Sequence, residues 1–244
     1  MIQRYEEISM NAWPALQTFF YDGWVLRFAN GYTRRANSIN PIYPSTIDAR
    51  KKIGLCRRLY TARGLRTVFK MTREVYPLDL DTVLKNNGYI AEAETSVQIV
   101  PLETFDFKEY GPVRIVTYIE DSWIEGFFRM TGAANEHKTT FKSMLRNIMT
   151  PKCVAYIKDE DTTVACGLGV LEQDMIGLFD IVVGKGFRGR GYAKKIVNGI
   201  LLWAKSEGAR RGYLQVMVEN QPAMALYRKL GFEEMYRYWY RVSE

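Results

Sequence analysis

Histidine occurs once in this 244-residue chain, and cysteine three times. The three cysteines, Cys56, Cys153 and Cys166, are odd in number and fall at no metal-ligand or redox spacing. They read as reduced thiols of a cytoplasmic protein, and no metal site is expected. The single histidine, His137, lies in the polar stretch ANEHKTT with no motif around it, and reads as a surface residue. No segment approaches the ~18 uninterrupted apolar residues of a transmembrane helix. The N-terminal MIQRYEEISM has no basic region followed by an apolar run, so no signal peptide is expected. Basic residues exceed acidic ones for a formal charge of +7, yet they are scattered. That excess suits an anionic partner such as a nucleotide, a nucleic acid or an acidic surface, and equally a plain solvated surface. Hydrophobic residues make up 47% of the chain, enough to build a core in one large domain or two small ones.

The chain repeats itself. VLKNNGYIAEAETSVQIV closes a first half at Val100, and LYRKLGFEEMYRYWYRV closes a second at Val242. One shift aligns Gly88 with Gly231 and Lys51-Lys52-Ile53 with Lys194-Lys195-Ile196. It also lays GWVLRFA near CGLGVLE and TRRANSIN on IGLFDIVV. A nearly constant offset across strands, helix and closing strand points to two copies of one unit. Each copy reads as strand, strand, helix, strand, helix, strand. In the second, Val164 to Leu171 and Ile176 to Val183 are strands joined by a polar turn. Ala193 to Glu207 is a helix, because Ile196, Val197, Ile200, Leu201 and Ala204 form one stripe. Gly208 stops it. Tyr213 to Val218 is a short strand. Pro222 opens a last helix, which ends at Gly231. Two amphipathic helices, SWIEGFFRM and TTFKSMLRNIM, open the second half.

Between the second strand and the long helix lies GFRGRGYAKK, residues 186–195. The first N–H groups of a helix have no intrahelical partners, and its dipole is positive there. Glycines just before it admit a ligand to the backbone, and Arg188 and Arg190 add charge. The stretch is a pyrophosphate cradle in kind. Its glycine spacing is neither the dinucleotide fingerprint nor a P-loop. It is too short, and too directly joined to an apolar-striped helix, for an RNA-binding RGG tract.

Arg188-Gly189-Arg190-Gly191-Tyr192-Ala193 resembles the [QR]-x-x-G-x-[GA] loop of the GCN5-related N-acetyltransferases (GNAT). YLQVMVENQPAMALYRKLGF resembles that superfamily's second hallmark, a strand, an Asn, and a helix ending Leu-Tyr-x-x-x-Gly-Phe. The two occur in the family's order and at its separation, over about Val164 to Val242. The resemblance implies an α/β (α+β) chain with a tandem GNAT-like fold, mixed and mostly antiparallel sheets flanked by helices, and a degenerate N-terminal copy. Residues 1–100 would be the degenerate half, 101–122 a connector and 123–244 the catalytic domain. It further implies an acetyl-CoA-dependent transfer to a primary amine by direct attack, with no metal, nucleic acid or membrane, in a monomer or homodimer. Acetyl-CoA would place its pyrophosphate on the backbone of Arg188, Gly189, Arg190, Gly191, Tyr192 and Ala193. Its pantetheine arm would run along Ile181, Val182 and Val183, with Asn220 bonded to it.

Transfer to an amine needs a neutral amine, a polarised thioester, a stabilised oxyanion and a protonated leaving thiolate. The resemblance puts the general acid at Tyr227, and Val182 or Val183 is the expected oxyanion donor. Tyr227 reads equally as a core aromatic, and Asn220 as a helix N-cap. Many relatives carry a glutamate base where this chain has Gln215. Asp180, Glu172 and Glu219 remain, Asp180 foremost as an acid on an otherwise apolar strand, and a water chain is the alternative. Under the repeat, YPSTIDAR of the first half stands where the phosphate loop should be, with no glycine and with Asp48 opposing a phosphate. The first half is then expected to brace the second and to line the acceptor pocket, through Arg34 and Asn37 with Arg35 and Asn40. Two other readings remain: an acyl-CoA-sensing module without turnover, and a basic nucleic-acid binder.

Overall fold

The computed structural model describes residues 1–244, and the chain divides into two compact units. The first contains residues 1–96, 217–219 and 236–244, the second residues 97–216 and 220–235.

The first unit starts with α1 (Ile2–Ala12), followed by β1 (Gln17–Tyr21), β2 (Trp24–Phe28) and β3 (Ile39–Asn40). Then come α2 (Ala49–Thr61), β4 (Val68–Thr72) and α3 (Leu80–Asn86), and β5 (Ile90–Pro101) leads on into the second unit. β1, β2 and β3 pair antiparallel in turn, and β3 pairs parallel with β4. All of β2 is buried. Trp24, Leu26 and Phe28 pack with Ile53, Cys56 and Tyr60 of α2. From β2, the buried Arg27 donates to the carbonyls of Arg35, Met10 and Trp13, so it closes the C-terminus of α1. The Met10 and Trp13 carbonyls are acceptors that the end of α1 leaves unpaired.

The second unit runs through β6 (Arg114–Val116), α4 (Asp121–Thr131), α5 (Lys138–Arg146), β7 (Lys152–Asp159), β8 (Thr162–Glu172) and β9 (Met175–Val183). It continues with α6 (Tyr192–Ser206), β10 (Arg211–Met217) and α7 (Gln221–Lys229). β6, β7, β8 and β9 pair antiparallel in sequence, and β9 pairs parallel with β10. The apolar stripe of α6 lies against β8. A Cβ on Gly167 would come 2.7 Å from Ile196 Cγ2, and one on Gly169 2.5 Å from Ile200 Cγ2. Glycines in the strand thus set the helix close to the sheet. Phe127 of α4 and Phe141 of α5 stack at 5.0 Å, alongside Trp123.

The expected duplication is present, and each copy has one strand more than the sequence reading gave it, β1 in the first and β7 in the second. β1–β2–β3–α2–β4–α3–β5 has the order and pairing sense of β7–β8–β9–α6–β10–α7 and β11 (Glu233–Val242). The starts of α2 and α6, β4 and β10, and β5 and β11 are separated by one constant offset. The closing strands, however, are exchanged. The Tyr238–Val242 stretch of β11 pairs antiparallel with β4 inside the first unit. Val97 to Pro101 of β5 neighbours β10 in the second, where Val100 joins the core and Leu102 N–H donates to Arg210 O at 2.8 Å.

Polar contacts fix β11 in the first unit. Arg241 grips Asp81 of α3 through Nε at 2.9 Å and Nη2 at 2.7 Å, and Trp239 Nε1 donates to the same carboxylate at 2.8 Å. Arg241 holds the Asp81 carboxyl below its ordinary value. Beneath the strand, Lys70 and Glu6 form a buried pair at 2.6 Å, and Tyr236 Oη donates to Glu6 at 2.7 Å.

The strand expected over residues 33–40 is a correction. Arg34–Ala36 form a 3-10 turn, and only Ile39–Asn40 are strand. Asn37 is the reason. Its Oδ1 accepts from the amides of Ala29 at 2.7 Å and Gly31 at 3.0 Å, and its Nδ2 donates to Thr33 O at 2.8 Å. A side chain that satisfies loop backbone in this way competes with the ladder.

A fragment beginning at Pro101 lacks the Val97–Val100 strand that the second unit needs. It should fail to give a soluble, cooperatively unfolding protein, whereas co-expression with residues 1–100 should restore one. A soluble 101–244 fragment with a sharp melting transition would refute this. Arg241→Ala should cost about 1–3 kcal/mol at neutral pH, measured by urea unfolding. The Asp81 carboxyl is depressed in the fold, so its contribution is complete above the unfolded carboxylate value of ~3.9. It is lost as pH falls through the folded value, so wild type and variant should converge in acid.

Candidate active site

β8 and β9 are in register on either side of an irregularity. Cys166 pairs with Val182, and Leu168 with Phe179. Gly167 alone therefore faces two residues of β9, Asp180 and Ile181. This is a β-bulge, and Asp180 takes a φ of +51° within it. Gly167 has no room for a side chain, since a Cβ would lie 2.6 Å from Ile181 Cδ1. On its other edge β9 pairs with β10 only as far as Leu178 opposite Leu214. That parallel register ends ahead of Ile181 to Val183.

A cavity of about 860 Å³ lies at this stretch. Ile181, Val182 and Val183 form one wall, and Asn220, Pro222, Ala223, Leu226 and Tyr227 of α7 form another. The loop into α6 supplies Arg188, Gly189, Gly191, Tyr192, Ala193 and Lys194. Gly189 and Gly191 have φ of +78° and +79°, and nothing in the protein lies within 4 Å of a Cβ on either. Glycine is therefore required by the left-handed backbone and by the open space before it. Lys195 N–H is bonded back to Gly191 O at 3.2 Å. The amides of Tyr192, Ala193 and Lys194 precede it at the positive end of α6, where helix amides lack intrahelical acceptors.

Most of the residues singled out in the sequence meet here. Arg190 does not line the cavity: its guanidinium lies over the Phe187 ring, 5.3 Å from the centroid. Arg188 does line it, with Nε 3.4 Å from Val183 O. Asn220 caps α7, its Oδ1 accepting from Ala223 N–H at 3.3 Å, and it also borders the cavity. Tyr227 likewise has both of its expected places. It belongs to the apolar core, 5.7 Å from the Phe232 ring, and it faces the cavity. Burial pushes its hydroxyl up to about 12.

No carboxylate lines the cavity. Asp180 is half-buried at the bulge, close to Cys166, whose thiol is pushed up by burial first and by that carboxylate second. Glu172 and Glu219 are not lining residues, and His137 ends a 3-10 turn before α5. Arg34 and Asn37 lie in the first unit, where Arg34 pairs with Glu92 at 2.5 Å and Asn37 ties its own loop. The sequence reading missed Met130 and Thr131, which border the cavity from the end of α4, and also Lys185, Phe187 and Lys229. A signal for the first two was present in Gly132, the left-handed C-cap of α4. No group of acidic, cysteine or histidine side chains could hold a metal ion, and no helix is long and apolar enough to cross a membrane.

Known proteins match this arrangement over its full length. An N-acetyltransferase of Bacillus subtilis, YobR, itself uncharacterized, is 28% identical over 99% of this chain and 98% of its own. A GCN5-related N-acetyltransferase from Kribbella flavida superposes with a TM-score of 0.75 at 14% identity, covering 99% of this chain and 95% of that one. A tandem GNAT protein from the clavulanic acid biosynthesis pathway superposes with a TM-score of 0.63 at 13% identity, over 98% and 87%. Residues 1–241 match the family model described as "Probable histone acetyltransferase Rv0428c C-terminal". With that match across both copies, the chain belongs to this family, within the GCN5-related N-acetyltransferases.

Proposed function

We propose that the second unit binds acetyl-CoA in the cavity beside β9 and transfers the acetyl group to a primary amine by direct attack. The observation that carries this reading is the juxtaposition of two features on one cavity. One is the α6 N-terminus with two left-handed glycines and Arg188, and the other is a strand edge released from pairing. The first suits a pyrophosphate. The second suits the amide-bearing pantetheine arm, which can pair with Ile181 to Val183 as a strand would. Asn220 adds a carboxamide on the opposite wall. The thioester then lies toward the bulge, where a backbone N–H of Val182 or Val183 polarises the carbonyl and stabilises the oxyanion.

Tyr227 acts at the leaving sulfur. A hydroxyl at about 12 is a weaker acid than a thiol at ~8.5, so full transfer of its proton is uphill. Its contribution is a hydrogen bond that strengthens as negative charge collects on sulfur. The amine loses its proton through water, with Asp180 as the receiving carboxylate, since none lines the cavity itself. Arg34 and Asn37 are left out of the acceptor site because their polar groups are engaged within the first unit.

Gly191→Asp should remove acetyl-CoA binding in calorimetric titration, because it sets a β-carbon and a charge at the helix N-terminus on a left-handed backbone. Wild type should bind one equivalent per chain. A stoichiometry of two, or unchanged affinity in the variant, would contradict the assignment.

Tyr227→Phe should lower kcat, measured by thiol release with an amine panel, on the order of 10²-fold, with little change in acetyl-CoA affinity. Because the hydroxyl stays protonated across the assay range, wild type should show no alkaline fall in kcat that the variant abolishes. Asp180→Asn should instead flatten the acidic limb of kcat/KM. If kcat survives Tyr227→Phe in a chemistry-limited assay, the ring is only core.

A further inference from the structure

In the first unit the counterpart of α6 is α2, and the loop before it, residues 43–48, receives the tip of the β1–β2 hairpin. That tip is Asp22-Gly23, with φ of +42° and +81°, the left-handed pair of a two-residue hairpin turn. It is pressed against the loop: a Cβ on Gly23 would fall 2.2 Å from Pro44 O and 2.6 Å from Tyr43 O. From this position the Asp22 carboxylate collects five donors. Oδ2 accepts from Ile47 N–H at 2.7 Å, Thr46 N–H at 3.0 Å, Ser45 Oγ at 2.9 Å and Lys52 Nζ at 3.2 Å. Oδ1 accepts from Thr46 Oγ1 at 2.8 Å.

The donor set is built from the interior outward. Lys52 is fully buried, its ammonium 4.1 Å from the centroid of the Trp24 ring and 2.6 Å from Ser45 Oγ. Asp48 is not part of it. Its carboxylate caps α2, accepting from Arg50 and Lys51 N–H. Two backbone amides, two hydroxyls and an ammonium around one anion are the donors that recognise a phosphate-class oxyanion. The Ile47 amide, with the Thr46 and Ser45 donors behind it, holds the Asp22 carboxyl well below the usual carboxylate range. In the second unit, the matching hairpin strand (Thr162 to Val164) and the loop Gly184 to Phe187 border a cavity of about 340 Å³.

We propose that Ser45, Thr46, Ile47 and Lys52 form an oxyanion site in which Asp22 is the resident intramolecular ligand, and that removing this carboxylate opens the site to free phosphate. The likeness to the second unit rests on reading the Arg188 loop as a phosphate cradle, whereas the donor set does not. The tandem chain then has one cofactor site because the cradle of its first copy already holds a negative charge supplied by its own hairpin.

Asp22→Gly is the test, since glycine accepts the turn conformation and removes the carboxylate. Inorganic phosphate is titrated into wild type and variant, with ionic strength held by chloride, and followed by Tm and by phosphorus-NMR line width. The variant should take up one phosphate per chain more than wild type and gain more in Tm. A folded variant whose phosphate response equals that of wild type overturns the proposal. If Asp22→Gly does not fold in chloride, Asp22→Asn is measured in the same way. Recovery of folded protein by phosphate in either variant supports the site. Failure of both to fold with phosphate present overturns it, because the carboxylate is then a fixed brace that no free anion replaces. Phosphate held at the Arg188 loop is common to wild type and variant and cancels in the comparison, so the acetyl-CoA reading can fail without affecting this result.

Discussion

Opposite Gly167, strand β9 carries two residues, Asp180 and Ile181, where the ladder has room for one. The extra residue bends β9 away from the line that β10 follows, and the parallel pairing ends at Leu178. The cavity, the released edge at Ile181 to Val183, and the approach of α7 to that edge all follow from this divergence. Gly167 is what permits it. Its missing side chain leaves space for Ile181 on one side and for Ile196 and Ile200 of α6 on the other. An added methyl would overpack that junction, at a cost of about 1–3 kcal/mol. The same junction aims the N-terminus of α6 at the cavity, so one packing requirement positions both that helix end and the strand edge.

The two copies share a framework and differ in what their helix N-termini meet. α6 begins after two left-handed glycines with open space before them. α2 begins after Asp48, which caps it, beside a loop that encloses the Asp22 carboxylate. The β1–β2 turn allows this, because its left-handed residues carry the carboxylate toward the loop. β11 closes the first unit and the end of β5 closes the second, so each unit contains a strand contributed by the opposite half of the sequence. The fork between Arg241 and Asp81 and the buried pair of Lys70 and Glu6 fix the first of these strands.

Much of the second unit was legible in the sequence, and local physics explains why. The stripe of Ile196, Val197, Ile200, Leu201 and Ala204 specifies an amphipathic helix, and α6 spans Tyr192–Ser206. The glycines before that helix were singled out as leaving its N-terminal backbone open, and the cavity has Gly189 and Gly191 on its wall. Asn220 before Pro222 specifies a capped helix, as observed. Other elements left weaker marks. β1 is polar or aromatic and exposed except at the half-buried Tyr21, β3 is two residues long, and the polar run at 33–37 gave no sign that Asn37 would tie it into a turn. α1 went unread because its buried face includes Glu6 and Ser9, polar residues that only their partners make compatible with a core.

The sequence by itself determined the duplication, the order of elements from the second strand of each copy onward, the long helix α6 and the glycines before it, but not β1, β7 or α1. These depend on periodicity and on backbone preferences that act within a few residues. The tertiary structure decided which strand closes which unit, since antiparallel pairing of β11 with β4 joins residues far apart in the chain and no local preference selects between two similar partners. It decided that Arg190 turns onto Phe187 while Arg188 faces the cavity. It also decided that Asp22, from a hairpin turn, would take the place before α2 that α6 leaves open, because five donors from the 45–47 loop and from Lys52 of α2 must converge before a carboxylate can be held there.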